Sequence, residues 1–233
     1  MSAVVTRRMP PLQNGDRLTR VEFERRWLAM PHLKKAELIN GVVYVAAALR
    51  FDQHGGPHFN VIGWLAIYTM STPGVLGGDN SSLRLDDRNE PQPDAFLMIA
   101  PDYGGQAAID GEGYVTSGPE LIVEVAASSA SYDLHDKLDT YRRHRVREYV
   151  VWRVLDQEID WFVLRKDRYQ KQKPTRGIQR SSILPGLWLD VQGLIKGDMP
   201  RVAEVARRGI ETKEHAGFAA RLQQAAARKR PGK

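Results

Sequence analysis

Residues 119–126 read PELIVEVA, an almost continuous apolar run with one carboxylate near its centre, Glu124. A short apolar run of this length is typical of a β-strand that is covered on both faces. Because side chains alternate between the faces of a strand, Glu124 shares a face with Ile122 and Ala126, so neither face is polar. An ionised carboxylate in this position must be paired, be protonated or bind a cation, since burying it alone is costly.

A second predicted strand shows the same combination. Residues 93–99 read PDAFLMI, and Asp94 stands at the start of this apolar run. A buried ion pair with an arginine would explain either carboxylate alone. Two carboxylates in separate central strands favour a shared divalent cation, and two carboxylates completed by water suit magnesium.

The flanking sequence predicts helices and hairpins around these strands. Thr19 and Glu22 form a capping box at a helix start, and Asn40-Gly41 is a dipeptide favoured in tight hairpin turns. Helices are predicted over residues 19–30, 57–69 and 133–144, hairpins over 36–47 and 148–164, and a strand over 75–85. The fold class is α/β (α+β mixed), with one mixed central sheet flanked by helices.

The charge is unevenly distributed along the chain. The formal net charge is +6, and residues 201–233 hold the whole excess. These residues are rich in alanine and arginine, which predicts one or two exposed helices and a basic tail. Residues 51–136 are acidic and residues 137–185 are basic. This arrangement suits a cation site beside a surface for a polyanion, and uneven surface charge is the simpler alternative.

Composition and missing motifs exclude several classes of protein. No cysteine is present, which excludes disulfides, thiolate zinc sites and cysteine nucleophiles. The absence of a Walker loop, a dinucleotide glycine motif, a GxSxG elbow and an HExxH motif disfavours nucleotide hydrolysis, redox and zinc-protease chemistry. The apolar runs are too short to cross a bilayer, and residues 1–19 lack the apolar core of a signal peptide. We therefore expect a cytoplasmic protein with no membrane partner.

The predicted helix over residues 133–144 carries three more candidates. Asp133, Lys137 and Tyr141 are spaced four apart and therefore lie on one stripe of the helix. The alternatives are an exposed Asp133–Lys137 helix pair and a Tyr141 that only packs in the core. The helix follows directly after the strand of Glu124, so its first turns return to the end of that strand, which favours a functional role.

Two further residues are candidates by position. Glu37 precedes the Asn40-Gly41 turn, and its alternative is an exposed charge on the hairpin. His58 lies at the start of the second predicted helix. His54 and His58 are four apart, but the intervening sequence Gly-Gly-Pro predicts a non-helical backbone, so the spacing does not indicate a metal pair. A helix-start or core histidine is the favoured interpretation of His58.

In these residues the chain resembles the Uma-two family of restriction endonucleases, within the PD-(D/E)xK nuclease superfamily. The matching segments, in order, are Glu37 to Gly41, His58, Pro93-Asp94, Pro119 to Val125, Ser128-Ser129, Asp133, Lys137, Tyr141, Val146 to Tyr149 and Pro185 to Leu189. The resemblance covers about residues 18–195. We therefore expect an N-terminal arm over 1–17, a nuclease domain over 18–195 and a basic helical tail over 196–233. Residues 201–233 of this tail are expected to bind DNA and not to be needed for folding.

The resemblance implies a restriction-endonuclease-like core that hydrolyses phosphodiester bonds in DNA. In the family pattern, Asp94 and Glu124 hold Mg²⁺ (or Mn²⁺), and Glu37 is an outer acid that contacts the metal or its water. The superfamily lysine normally stands two residues after the second acid, where this chain has Ala126. Lys137 on the following helix is the candidate that replaces it, and His58, Asp133 and Tyr141 are secondary candidates.

Two interpretations of function stay open at this point. The first is a magnesium-dependent DNA endonuclease, for which a homodimer is plausible because cutting both strands needs two sites. The second is a non-catalytic nucleic-acid-binding or assembly protein on the same scaffold. A glycosidase that uses two carboxylates is a distant third, because nothing else in the sequence indicates a sugar cleft.

Overall fold

The computed structural model describes residues 9–46, 49–127 and 130–229. Its strands are β1 Ala36–Ile39, β2 Val42–Val45, β3 Val75–Asp79, β4 Leu83–Arg84, β5 Ala95–Ile99, β6 Ala108–Ile109, β7 Val115–Thr116, β8 Leu121–Ala126, β9 Glu148–Arg153, β10 Glu158–Arg165, β11 Arg168–Gln172, β12 Ile178–Arg180 and β13 Trp188–Asp190. Its α-helices are α1 Arg20–Leu28, α2 Gly56–Ser71, α3 Ala130–Tyr132, α4 Leu138–Arg143, α5 Val191–Lys196, α6 Met199–Ile210 and α7 Lys213–Lys229. The Ser128-Ser129 pair, residues 1–8 of the predicted arm and the end of the predicted tail lie outside the described residues.

A six-stranded mixed sheet forms the centre of the molecule, with the strand order β11-β10-β9-β8-β5-β3. Strands β8 and β9 are parallel, and the other neighbouring pairs are antiparallel. The two apolar runs that each carry one acid are β5 and β8, which are neighbours in this sheet. The expected mixed α/β fold is therefore confirmed.

Alternating side chains of the central strands enter two separate cores. Leu97 and Val123 face one core, together with Trp64 of α2 and with the C-terminal helices. Phe96 and Ile122 face the other core, which α4 covers. This second face is the one on which the alternation places Glu124, so the carboxylate lies between the sheet and the helical segment that follows β8.

The first helix and hairpin form as predicted. The Thr19 hydroxyl accepts a hydrogen bond from the Glu22 backbone N–H at 3.4 Å, which caps α1. Strands β1 and β2 pair in an antiparallel register. Asn40 and Gly41 both have positive φ values, 53° and 78°, and this backbone conformation is the one that two-residue hairpin turns require.

The backbone between His54 and His58 is helical, so the prediction of a non-helical break there is wrong. Phe51–Gly55 forms one π-helical turn that continues directly into α2. Pro57 lies in the first turn of α2, the part of a helix in which proline is most common. Gly56 allows the turn to close, since a Cβ there would lie 3.3 Å from the Phe51 carbonyl oxygen.

The C-terminal helices are part of the fold, and the expectation that they are exposed is wrong. Helix α6 packs against α2, and Val202 and Ala206 on α6 are buried in the same core as Trp64. Helix α7 adds Phe218 and Leu222 to that core. The apolar side chains lie on one face of each helix, and this face is covered while the arginines stay outside. The divisions at residues 17 and 195 stay predictions.

Replacing Phe218 with alanine is expected to lower the free energy of unfolding by about 3 kcal/mol, because it leaves a cavity in the main core. Gln224→Ala, on the exposed side of the same helix, is the matched control and should change it by less than about 0.5 kcal/mol. Urea denaturation followed by circular dichroism measures both. Equal stability of the two variants would contradict a structural role for α7.

No helix within the described ranges combines the length and apolar composition that a bilayer crossing requires.

Candidate metal and phosphodiester site

The register of the central sheet places Asp94 and Glu124 next to each other. Strands β5 and β8 pair Ala95 with Val123 and Phe96 with Ile122. Continuing this register by one residue sets Asp94 opposite Glu124, with both side chains on the same face. The Asp94 backbone N–H donates to Glu124 Oε2 at 3.4 Å. The two acids that the sequence singled out therefore meet at one end of the β5–β8 pair.

Asp94 is almost fully buried and is held as a carboxylate. Its Oδ2 accepts the Val125 backbone N–H at 2.8 Å, and its Oδ1 accepts a hydrogen bond from Lys35 Nζ at 2.7 Å. Burial alone would raise the pKa of Asp94, but the nearby Lys35 ammonium and the hydrogen bond from Val125 lower it. Sequence reasoning missed Lys35, although strand alternation puts it on the same face as Glu37.

Glu124 is surrounded by donors but has little contact with solvent. Its Oε1 accepts hydrogen bonds from Lys137 Nζ and from the Tyr141 hydroxyl, both at 2.9 Å. Burial raises the pKa of Glu124 to about 8, and the Lys137 ammonium opposes that rise. Tyr141 therefore does more than pack in the core, since it fixes the orientation of this carboxylate.

Glu37 reaches the same site from the hairpin, so the alternative of an exposed charge is wrong. The backbone of Leu38 pairs with Glu90, which ties β1 to the segment that leads into Asp94. Glu37 Oε1 accepts the Gln92 backbone N–H at 2.8 Å and lies 2.9 Å from Lys137 Nζ. The β1–β2 hairpin thus places a third acid, Glu37, beside the central sheet.

Lys137 lies inside the site, and the alternative of a solvated helix pair is wrong. Asp133–Lys137 forms a π-helical turn between α3 and α4, a wider turn that is frequent at functional sites. Lys137 is only 3% exposed, and its Nζ lies 2.9 Å from Glu124 and 3.5 Å from Asp133. Burial would lower the pKa of Lys137, but the surrounding carboxylates raise it well above its usual value.

The two histidines of the π-turn and α2 both contact Asp94, and their ring centroids lie 5.5 Å apart. His58 Nε2 lies 2.8 Å from the Asp94 carbonyl oxygen and 3.0 Å from Asp79 Oδ1, so it contacts the backbone of Asp94 and a carboxylate outside the acidic cluster. His54, which the sequence argument set aside, points its Nε2 at Asp94 Oδ1 at 3.4 Å. The four-residue spacing of His54 and His58 was the sequence signal for this position. It applies because the Gly-Gly-Pro backbone between them is helical.

These side chains line one cavity of about 730 Å³. Four carboxylates and two ammonium groups meet at this cavity or its floor: Glu37, Asp94, Glu124 and Asp133, with Lys35 and Lys137. With all four carboxylates ionised, these six groups carry two more negative than positive charges, and the exposed Arg50 guanidinium, which also lines the cavity, reduces the excess to one. A bound divalent cation would offset this negative charge. The chemistry of these residues therefore suits a divalent cation, and the carboxylate oxygens of Asp94 and Glu124 are the candidates for binding it.

No group of three or more His, Cys, Asp or Glu side chains within the described ranges is already arranged to surround a metal ion. Lysine ammonium groups bind the carboxylate oxygens in this structure: Lys35 binds Asp94, and Lys137 binds Glu124. Each ammonium group therefore supplies positive charge to its carboxylate, as a bound metal ion would.

Comparison with known proteins gives a family and a fold. A family model described as "Uma2: Putative restriction endonuclease" matches residues 21–192. A crystal structure of a "putative nuclease belonging to DUF820" from Anabaena variabilis has a TM-score of 0.56 and 12% sequence identity, covering 73% of this chain and 97% of that one. At this identity the likeness shows the fold alone. A search of curated proteins finds no match.

Proposed function

Because the chain belongs to the Uma2 family of restriction endonuclease-like proteins, we propose that it is a metal-dependent DNA endonuclease. One observation carries the proposal, namely that catalytic candidates from four separate parts of the chain line one cavity. These candidates are Glu37, Asp94, Glu124 and Lys137. A purely structural role does not explain why so many charged groups are gathered at a site this far from bulk solvent.

Asp94 and Glu124 are the proposed ligands of Mg²⁺ or Mn²⁺. A divalent cation bound there would lower the pKa of a water molecule and neutralise charge on the scissile phosphate. Glu37, which lies on the other side of Lys137, would orient that water as an outer acid. Lys137 and Tyr141 both bind Glu124 Oε1 at 2.9 Å, whereas Oε2 accepts a long hydrogen bond of 3.4 Å from the Asp94 backbone N–H. Oε2 would therefore be the oxygen of Glu124 that faces a cation.

Lys137 is the proposed stabiliser of negative charge in the transition state. Its ammonium bridges Glu37 and Glu124, and it is held over the ring of Tyr132 at 5.5 Å from the ring centroid. Such fixed placement of a positive charge is effective because it needs no reorganisation when charge develops on the phosphate. This role is proposed for Lys137 because Ala126 stands at the superfamily position.

Basic side chains outside the acidic cluster would hold the nucleic-acid backbone. Arg50 lines the mouth of the cavity and is exposed. Contacts of this kind give affinity that depends on salt and carries little sequence information. Cutting both strands of a duplex would use two copies of the site, and a homodimer is proposed on that ground alone.

The second candidate function is a nucleic-acid-binding protein that does not cut. The observation that favours it is the burial of Lys137, because an ammonium that already neutralises Glu37 and Glu124 has less freedom to reach a phosphate. The two functions differ in one measurable property, which is the chemical conversion of the substrate.

Incubation with supercoiled plasmid tests the proposal directly. We expect relaxed and linear products with Mg²⁺ or Mn²⁺ and none with excess EDTA, since the proposed ligands supply no nucleophile of their own. Glu124→Ala is the control for a contaminating nuclease. Cleavage that persists in EDTA would rule out a metal-dependent mechanism, and binding without cleavage under every metal would favour the second function.

A further inference from the structure

His54 presents a buried nitrogen without a hydrogen-bond partner to the cavity. The residue is 7% exposed, and its Nε2 makes no hydrogen bond to any described residue. Buried polar atoms in folded proteins are nearly always satisfied, so an exception that points into a charged cavity indicates a missing ligand. The neighbouring Asp94 Oδ1 lies 3.4 Å from Nε2 but outside hydrogen-bond geometry.

The other ring nitrogen of His54 fixes the state of the imidazole. Nδ1 lies 3.0 Å from the Val125 carbonyl oxygen, and since a carbonyl only accepts, Nδ1 carries the proton. In a neutral imidazole Nε2 then has a lone pair directed at the cavity. A backbone carbonyl that orients a histidine through Nδ1 is the usual support of a metal-ligating histidine.

The separation of His54 Nε2 and Asp94 Oδ1 suits two donors on one cation. Ligands at about 2.1 Å from a metal, in adjacent octahedral or tetrahedral positions, are about 3.0–3.5 Å apart. The observed 3.4 Å lies in this range. The competing explanation, a protonated His54 paired with Asp94, would give a contact of about 2.7–2.9 Å, which is the distance at which Lys35 already binds that oxygen.

We propose that His54 Nε2 is a third ligand of the cation held by Asp94 and Glu124, and that it selects Mn²⁺ over Mg²⁺. The inference rests on the proposed function and deepens it. Carboxylates serve both ions, but Mg²⁺ favours oxygen ligands, while an imidazole suits first-row transition metals. Lys35 would move from Asp94 Oδ1 when the cation enters, because both cannot approach that oxygen from the same side.

Binding measurements test this proposal without reference to cleavage. His54→Gln should weaken Mn²⁺ binding by at least about tenfold, measured by electron paramagnetic resonance of free Mn²⁺. It should change Mg²⁺ binding, measured by calorimetry, by less than about threefold. His58→Gln is the matched control, since its nitrogen contacts the Asp94 carbonyl and Asp79, and it should keep the preference for Mn²⁺.

A spectroscopic measurement on the wild-type protein tests the role of His54 even if the His54→Gln variant does not fold. In the Mn²⁺-loaded wild-type protein, electron spin echo modulation should show coupling to an imidazole nitrogen. Binding of Mn²⁺ without that coupling, or with equal affinity in a folded His54→Gln variant, overturns the role of His54 and leaves the two-carboxylate site intact. Absence of both Mn²⁺ and Mg²⁺ binding in the wild type overturns the proposed metal site itself.

Discussion

Replacing Glu124 with glutamine is expected to reduce plasmid cleavage by roughly 10³-fold or more, because under the proposed function the change removes the charge of a metal-binding carboxylate. Glutamine preserves the size of the side chain and can still accept a hydrogen bond from Tyr141. The matched control is Glu214→Gln, the same substitution at an exposed position on α7. Wild-type rates in the Glu124 variant would remove this carboxylate from the mechanism.

The same variant has a second expected effect, on the pH dependence of stability. The pKa of Glu124 is raised by burial to about 8, above its value of about 4.3 in an unfolded chain. Its contribution to stability is therefore fully present below the unfolded pKa and is lost as the pH rises through about 8. In EDTA, the free energy of unfolding should fall between pH 5 and pH 9, and Glu124→Gln should reduce this fall. An equal fall in both proteins would contradict the burial of an ionisable group at this position.

Lys137→Met is expected to lower cleavage by roughly 10²-fold or more, because the variant lacks the fixed positive charge that we propose stabilises the transition state. The sequence alone predicts almost no change in stability, on the assumption of an exposed pair with Asp133. That assumption is wrong, since the ammonium is buried between Glu37 and Glu124. We now expect a loss of about 3–5 kcal/mol, the usual cost of breaking a buried pair.

Lys35→Met is the matched control for this experiment, because it removes an ammonium from the same cavity but from the other acid, Asp94. Rates should be measured on folded protein, with the fraction folded determined by circular dichroism at the assay temperature. A folded Lys137→Met variant that cuts at the wild-type rate would exclude Lys137. A larger loss in Lys35→Met would assign the catalytic charge to Lys35.

The central strands and their acids could be predicted because the relevant signals are local. The apolar runs around Asp94 and Glu124 identify buried strands, and strand alternation places each carboxylate on a defined face. The burial of both acids followed from these signals. Their exact pairing did not, because the register between β5 and β8 is set by tertiary packing and turn geometry that no short stretch of sequence encodes.

Other features could not be predicted from the sequence, because tertiary packing overrode a local sequence rule. Gly-Gly-Pro normally disfavours a helix, yet the π-turn before α2 accommodates it and brings His54 to the cavity. The arginines of residues 201–229 indicate an exposed surface, but Val202 and Phe218 lie on the opposite sides of the same helices and complete the core. Average composition conceals such a face, whereas the helical spacing of its apolar residues reveals it.

The packing of α6 and α7 also affects how the protein matures during translation. The ribosome makes residues 199–229 after every candidate site residue, so a nascent chain contains the acidic cluster before the sheet behind it is covered. Until these helices emerge, the apolar face around Trp64 and Val123 lacks the side chains of α6 and α7 that complete its packing. A polypeptide that stopped short of α6 would carry the side chains of the candidate site on a sheet whose other face is only partly packed.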